Sequence, residues 1–306
     1  MTIASENRPA TGTPDGFTLV LDPGHFNIDA AGKVTRDGTS AKWRDPATGQ
    51  TQTVLEAEVT LDVSEMLRKE LEGGGAAVHA TRWLDPTLGE EDPANHKYWR
   101  IAGKGYDAER ANIGRAEFAN EKILGADWRE LVAGQGGGGK EQEGGDANGR
   151  GDASAIGGGD GNSGGRNAPS TIELANGLFL RIHFDGSENA GDRGFNVYYN
   201  DQSDYDKDGR IAAESKRWAE KIAATLADGV RNPDGSWRRH PWPIPPNGPD
   251  NGVRRFERPI YGFKHAAVPS VLIEGGFFTN PKDLAVIMDP SCRLLLARLL
   301  AEAIME

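Results

Sequence analysis

Three short apolar runs in this chain each end in a residue able to hold a metal or carry a proton. His25 closes Leu19-Val20-Leu21-Asp22-Pro23-Gly24-His25, and His183 closes Leu178-Phe179-Leu180-Arg181-Ile182-His183. Glu274 closes Val271-Leu272-Ile273-Glu274, with Gly275-Gly276 behind it. Runs so short and so apolar fit strands buried on both faces of a parallel sheet. In open α/β sheets, ligands bind beyond the carboxyl ends of the strands. Three such ends carrying His, His and Glu predict one converged site with the chemistry of a zinc hydrolase.

The segments between these strands support the same fold class. A helix is expected from about Leu55 to Glu72, because Val59, Val63, Met66, Leu67 and Leu71 share one face at helical spacing. Gly73-Gly74-Gly75 ends it, and Ala76 to Thr81 follows as a strand. Further elements are a helix at Glu109 to Glu121, a strand at Gly194 to Tyr199 and a helix at Ile211 to Leu226. Asp289-Pro290 reads as the start of a last helix, with proline in its first turn. Strands alternating with helices predict an α/β fold: a mainly parallel, twisted sheet with helices on both faces. Asn27 to Thr53 and the Pro/Trp-rich stretch Asn232 to Pro249 read as loops.

Two stretches do not fit a packed core. Residues 1–16 are polar and read as a disordered lead-in. Between Gly134 and Arg166 lie 15 of the 41 glycines, among Asp, Asn, Ser and Glu. That tract cannot bury enough apolar area to offset the entropy of ordering it. It is expected to be a flexible insertion within one catalytic domain spanning 17–306, since the strand ends on its two sides need each other. A boundary between two domains is the alternative.

Charge and composition narrow the function. A net charge of -11 argues against a nucleic-acid binder. Cys292 is the only cysteine, which excludes an intrachain disulfide and a thiolate metal cluster. The N-terminus shows no secretory signal, and no apolar run approaches the ~20 residues of a membrane span, so a soluble protein is expected.

A catalytic zinc usually has three protein ligands and one open position. His25 and His183 supply two. Glu56 and Glu58 compete for the third. Glu56 lies three residues before Val59 and seven before Val63, on the inward stripe, whereas Glu58 shares the solvent face with Asp62 and Glu65. Glu56 is therefore the expected ligand, and Glu274 the expected proton carrier. Singly, a histidine at a strand end is more often structural; the four residues together favour a site. A second metal signal is Asp204-Tyr205-Asp206-Lys207-Asp208-Gly209-Arg210-Ile211, which follows the first eight positions of an EF-hand calcium loop. The glutamate of position twelve is missing, where Ser215 stands, so a solvated acidic loop competes with a Ca2+ site at Asp204, Asp206 and Asp208. His79, His96, His240 and His265 read as structural or surface residues. Trp237 and Trp242 either line a groove or form a packing cluster.

These segments, in this order, resemble the zinc-dependent N-acetylmuramoyl-L-alanine amidases that cut bacterial peptidoglycan (the amidase-3 type). Leu19 to His25 is similar to that family's first strand and zinc histidine, and Leu55-Glu56-Ala57-Glu58-Val59-Thr60-Leu61 to its zinc-glutamate helix. Arg110-Ala111-Asn112 through Ala119-Asn120 resembles its Arg and Ala-Asn helix. Leu180 to Asp185 resembles the strand of the second zinc histidine, and Val268 to Pro281 the segment of the catalytic glutamate. The chain departs at Phe26-Asn27, where glycines are usual, and at Arg181, where a small residue is usual. Phe184 stands for Ala, and Lys264 for the Arg of many members.

The resemblance implies zinc held by His25, Glu56 and His183, catalysis by Glu274, and cleavage of the amide between N-acetylmuramic acid and L-alanine. The implied partner is peptidoglycan or a muropeptide, met in the periplasm, the cell wall or outside the cell, with the protein expected to be a monomer. Two rival readings are a metal-dependent amidase or peptidase on another substrate, and a wall-binding module with a dead site.

Overall fold

The computed structural model describes residues 16–25, 27–28, 34–35, 38–81, 108–133 and 176–306. Most of the expected lead-in, and the whole Gly-rich tract at 134–166, lie outside the described residues. The first part of the chain contains β1 (Thr18–Pro23), β2 (Asn27–Ile28), β3 (Val34–Thr35), β4 (Ser40–Arg44), β5 (Thr51–Leu55), α1 (Glu56–Glu72) and β6 (Ala77–Ala80). Then come α2 (Ala108–Leu124), α3 (Trp128–Ala133), β7 (Gly177–Asp185), β8 (Asn196–Tyr199), α4 (Arg210–Asp228), β9 (Val230–Arg231) and β10 (Trp237–Arg239). The chain ends with β11 (Val253–Arg254), α5 (Tyr261–Lys264), β12 (Ser270–Phe277), α6 (Pro281–Met288) and α7 (Pro290–Met305).

Six strands form one sheet in the order β11-β8-β12-β7-β1-β6. β6, β1, β7 and β12 run parallel, and β8 runs antiparallel to β12. The sheet is therefore mainly parallel, as expected, and strands from both sides of the Gly-rich tract pair within it.

The two faces differ because alternate residues of each strand point to opposite sides. Leu19, Leu21, Leu178, Leu180, Ile182, Val271 and Ile273 meet Val63 and Leu67 of α1, Ile222 of α4 and Leu300 of α7 in one apolar core. On the other face, Val20 and Phe179 pack on Ala116, Phe118 and Ala119 of α2. Proline and caps set the last helices. Asn280 accepts from the Lys282 and Asp283 amides ahead of α6, and Asp289 accepts from the Ser291 amide ahead of α7.

Two expected loops contain strands. Within Asn27 to Thr53, β4 and β5 pair as an antiparallel hairpin. Ala41 and Trp43 alternate inward against exposed neighbours, and Asp45 closes the turn by accepting from the Ala47 amide and the Thr48 hydroxyl. Within Asn232 to Pro249, β10 pairs with β9. Trp242 is buried in the apolar core, and its indole N–H donates to the Gly275 carbonyl at 2.9 Å. Trp237 stacks instead against Arg231 and His240. Trp242 serves packing, and the two tryptophans do not form one cluster.

Candidate metal centre

His25, Glu56 and His183 come together at the carboxyl end of the sheet, with one ligand atom from each lying within 4.8 Å of the others. Glu56 opens α1 and is almost fully buried. Its Oε1 sits 3.0 Å from His25 Nε2 and 3.5 Å from His183 Nδ1. The same oxygen accepts from the Phe184 amide, and Oε2 accepts from the Thr39 amide, both at 3.0 Å. Glu58, one of the two glutamates in the opening turn, is exposed on the far side of the helix.

The backbone shapes this cluster. His25 has φ of 52°, a left-handed conformation that turns the chain sharply out of β1. Gly38, at φ of 103°, lies under the His25 ring, where a Cβ would come within 2.5 Å of it. A Cβ on Gly24 would meet the His183 ring at the same distance. Both imidazoles therefore rest on glycine.

Burial would raise the Glu56 carboxyl, but hydrogen bonds and charge from His183 and His25 outweigh it and hold the group well below the carboxylate range. Burial pushes the His183 imidazole down to about 4, with His25 and Arg181 adding to the effect and Glu56 opposing it. A neutral imidazole and an ionised carboxylate are the forms that bind a metal. The His183 Nε2 is buried without a hydrogen-bond partner. Two nitrogens and one carboxylate oxygen form a donor set suited to zinc.

Glu274 lies beside His183, its register partner across β12 and β7. Burial pushes its carboxyl well above the usual range, with Asp185 and Glu56 adding and Arg181 opposing. Its Oε2 has no hydrogen-bond partner. A buried carboxyl of raised proton affinity beside a metal-ligand cluster is suited to moving protons at neutral pH.

Beneath these groups, on the α2 face, runs a buried ionic network. Asp22 accepts from Thr81 Oγ1 at 2.6 Å, Arg115 Nη1 at 3.1 Å and Arg181 Nε at 2.8 Å. Arg181 also donates to Asn112 Oδ1 at 2.6 Å. Burial raises the Asp22 carboxyl, and the charges of Arg115 and Arg181 more than reverse this. The unusual Arg181 is thus a structural partner of Asp22. Two charges of opposite sign inside neighbouring apolar strands were a readable signal of that pairing.

A cavity of about 360 Å³ lies between β4 and the start of α6, with Trp43, Phe278 and Leu284 in its wall, and neither the three clustered ligands nor Glu274 line it.

The calcium signal finds other uses for its carboxylates. Asp206 accepts from the Ile211 and Ala212 amides at the start of α4, and Asp208 pairs with Arg210. Asp204 lies 4.0 Å from Lys264. Among the described residues, these three form no second cluster of ligand atoms.

Residues 171–306 match the profile of a protein family described as N-acetylmuramoyl-L-alanine amidase. Over this segment, which is less than half of its length, the chain is similar to that amidase family. The match supports an enzyme of the amidase class. The matched segment contains His183 and Glu274, while His25 and Glu56 precede it and are brought beside His183 by the fold. Two solved structures share the architecture. One is the N-acetylmuramyl-L-alanine amidase Ami1 from Mycobacterium smegmatis, with a TM-score of 0.51, 20% identity, and coverage of 94% of this chain and 95% of that one. The other is Cwp6 from Clostridium difficile, with a TM-score of 0.50, 14% identity, and coverage of 94% of this chain and 29% of that one. At these identities the likeness is one of fold. No curated protein matches the sequence. Among the described residues, no helix is long and apolar enough to cross a membrane.

Proposed function

We propose that the chain is a zinc-dependent hydrolase of the amide between N-acetylmuramic acid and L-alanine, acting on peptidoglycan or its fragments outside the cytoplasm. The observation that carries this reading is the convergence of His25, Glu56 and His183 next to Glu274 in a chain whose residues 171–306 match the amidase family. His25, Glu56 and His183 would hold the metal. Zinc in such a site polarises a carbonyl and lowers the pKa of a water toward ~7.

The chain's own residues do the rest. Glu56 neutralises part of the metal charge and is fixed by the Thr39 and Phe184 amides. Glu274 takes a proton from the attacking water and delivers it to the departing amine. Its burial favours the protonated form needed for the second step.

The test separates metal from proton transfer. Purified protein should carry about one zinc per chain by elemental analysis, and a His25→Ala, His183→Ala double variant should carry none. Glu274→Gln should retain zinc and fold but lose turnover by at least ~10²-fold. Zinc retained in the double variant defeats the ligand assignment, and near-normal turnover in Glu274→Gln defeats the base.

A further inference from the structure

Three buried polar atoms without partners lie in one row across the sheet. His183 pairs in register with Glu274 across β7 and β12, and Glu274 pairs with Asn196 across β12 and β8. Register partners point to the same face. His183 Nε2, Glu274 Oε2 and Asn196 Oδ1 all lack a hydrogen-bond partner. Unsatisfied buried polar atoms are rare in native proteins and call for a ligand, an ion or water. His183 and Glu274 already have places in the proposed zinc site and proton transfer. Asn196, only 1% exposed, is left without a role.

Asn196 is also out of place by strand pattern. Its neighbours Phe195 and Val197 are buried in the apolar core on the opposite face. An amide facing the α2 side has a cost there unless something donates to it.

The order of the row suggests the donor. Adjacent strands are about 4.8 Å apart, so Asn196 lies about 10 Å from His183, on the far side of Glu274 from the metal ligands. A scissile amide lying along this row, with its carbonyl toward the histidines, has its nitrogen near Glu274. We propose that Asn196 contacts the substrate, its Oδ1 accepting a hydrogen bond from the amide nitrogen on the peptide side of the bond that breaks. This rests on the amidase reading above. During hydrolysis the carbon–nitrogen bond breaks as a water oxygen bonds to the carbon. The nitrogen keeps its original hydrogen and gains a second from Glu274. Asn196 holds the original N–H and so keeps the nitrogen lone pair turned toward Glu274.

Asn196→Leu tests this, because it keeps the size and removes the acceptor. Zinc content and melting temperature should be unchanged or higher, since an unsatisfied buried group is removed. The kcat/KM on a muropeptide should fall about tenfold to hundredfold. Inhibition by the released peptide should weaken by a similar factor, while inhibition by the sugar-side product stays the same. Asn196→Ala, which fits wherever Asn fits, should show the same pattern. A kcat/KM within twofold of wild type, or equal weakening of both products, overturns the inference. So does a fall in melting temperature that tracks the lost activity in both variants. Wild type assayed alongside keeps the two claims apart. No cleavage by wild type overturns the amidase reading and the inference with it, whereas equal cleavage by wild type and variants overturns the inference alone.

Discussion

The two faces of the central sheet are built from the same strands to different ends. Toward α1, α4 and α7 the strands present Leu19, Leu21, Leu180, Ile182 and Ile273, which pack in the main apolar core. Toward α2 the same strands present Asp22, Arg181, His183 and Glu274 near their carboxyl ends. One face supplies cohesion through area removed from water. The other carries buried ionisable groups, with Asp22 paired to Arg115 and Arg181 at depth and Glu274 Oε2 left without a partner at the strand end. The difference shows how one sheet separates stability from function: the apolar face fixes the strand ends, and the polar face uses them.

The comparison breaks first at the metal ligands. Glu56→Ala should lose zinc and activity together, whereas Glu58→Ala, on the exposed side of α1, should be nearly silent. Metal analysis and assay of the two variants check this, and zinc loss in Glu58→Ala would show that the helix is turned the other way.

Deeper on the polar face, Asp22→Ala strands the buried Arg115 and Arg181. Removing one partner of a buried ion pair costs about 3–5 kcal/mol, readable by denaturant unfolding. The sign of the pH dependence follows from the depressed Asp22 pKa. In wild type the network's contribution is complete above the ordinary carboxylate pKa and is lost as pH falls below it. The variant should lack that acid-side loss.

On the apolar face, Leu67→Ala should cost about 2–5 kcal/mol as a cavity substitution while leaving zinc stoichiometry and the rate of the folded enzyme intact. A Leu67→Ala protein that keeps its stability but loses its metal would erase the distinction between the faces.

The smallest effect is expected from the Gly-rich tract. Replacing 134–166 by a short Gly/Ser link should change stability by about 1 kcal/mol or less, because loop-closure entropy varies slowly with length. A large fall in melting temperature would place a packed element or a domain boundary there.

The convergence of these residues was legible in the sequence because each ends or opens a recognisable local pattern. His25, His183 and Glu274 close apolar runs, and the helical stripe of α1 selects Glu56 over Glu58. The supporting contacts were not legible, since they join distant segments through the backbone. Thr39 holds Glu56 by an amide that any residue would supply, and Gly38 matters through the His25 ring it meets. The β4–β5 hairpin was hidden by polar residues, although the alternation of Ala41 and Trp43 marked it. Asn196 carried no signal of its own, because its meaning depends on its register with Glu274.

The central claim concerns which bond is cut. Peptidoglycan digested with the zinc-loaded protein should be analysed by mass spectrometry, with Glu274→Gln in parallel. The account predicts peptides with a free L-alanine amino terminus, intact glycan strands, and at least ~10²-fold less product from the variant. New reducing ends on the glycan, or cleavage within the peptide stem with no free L-alanine terminus, would contradict it.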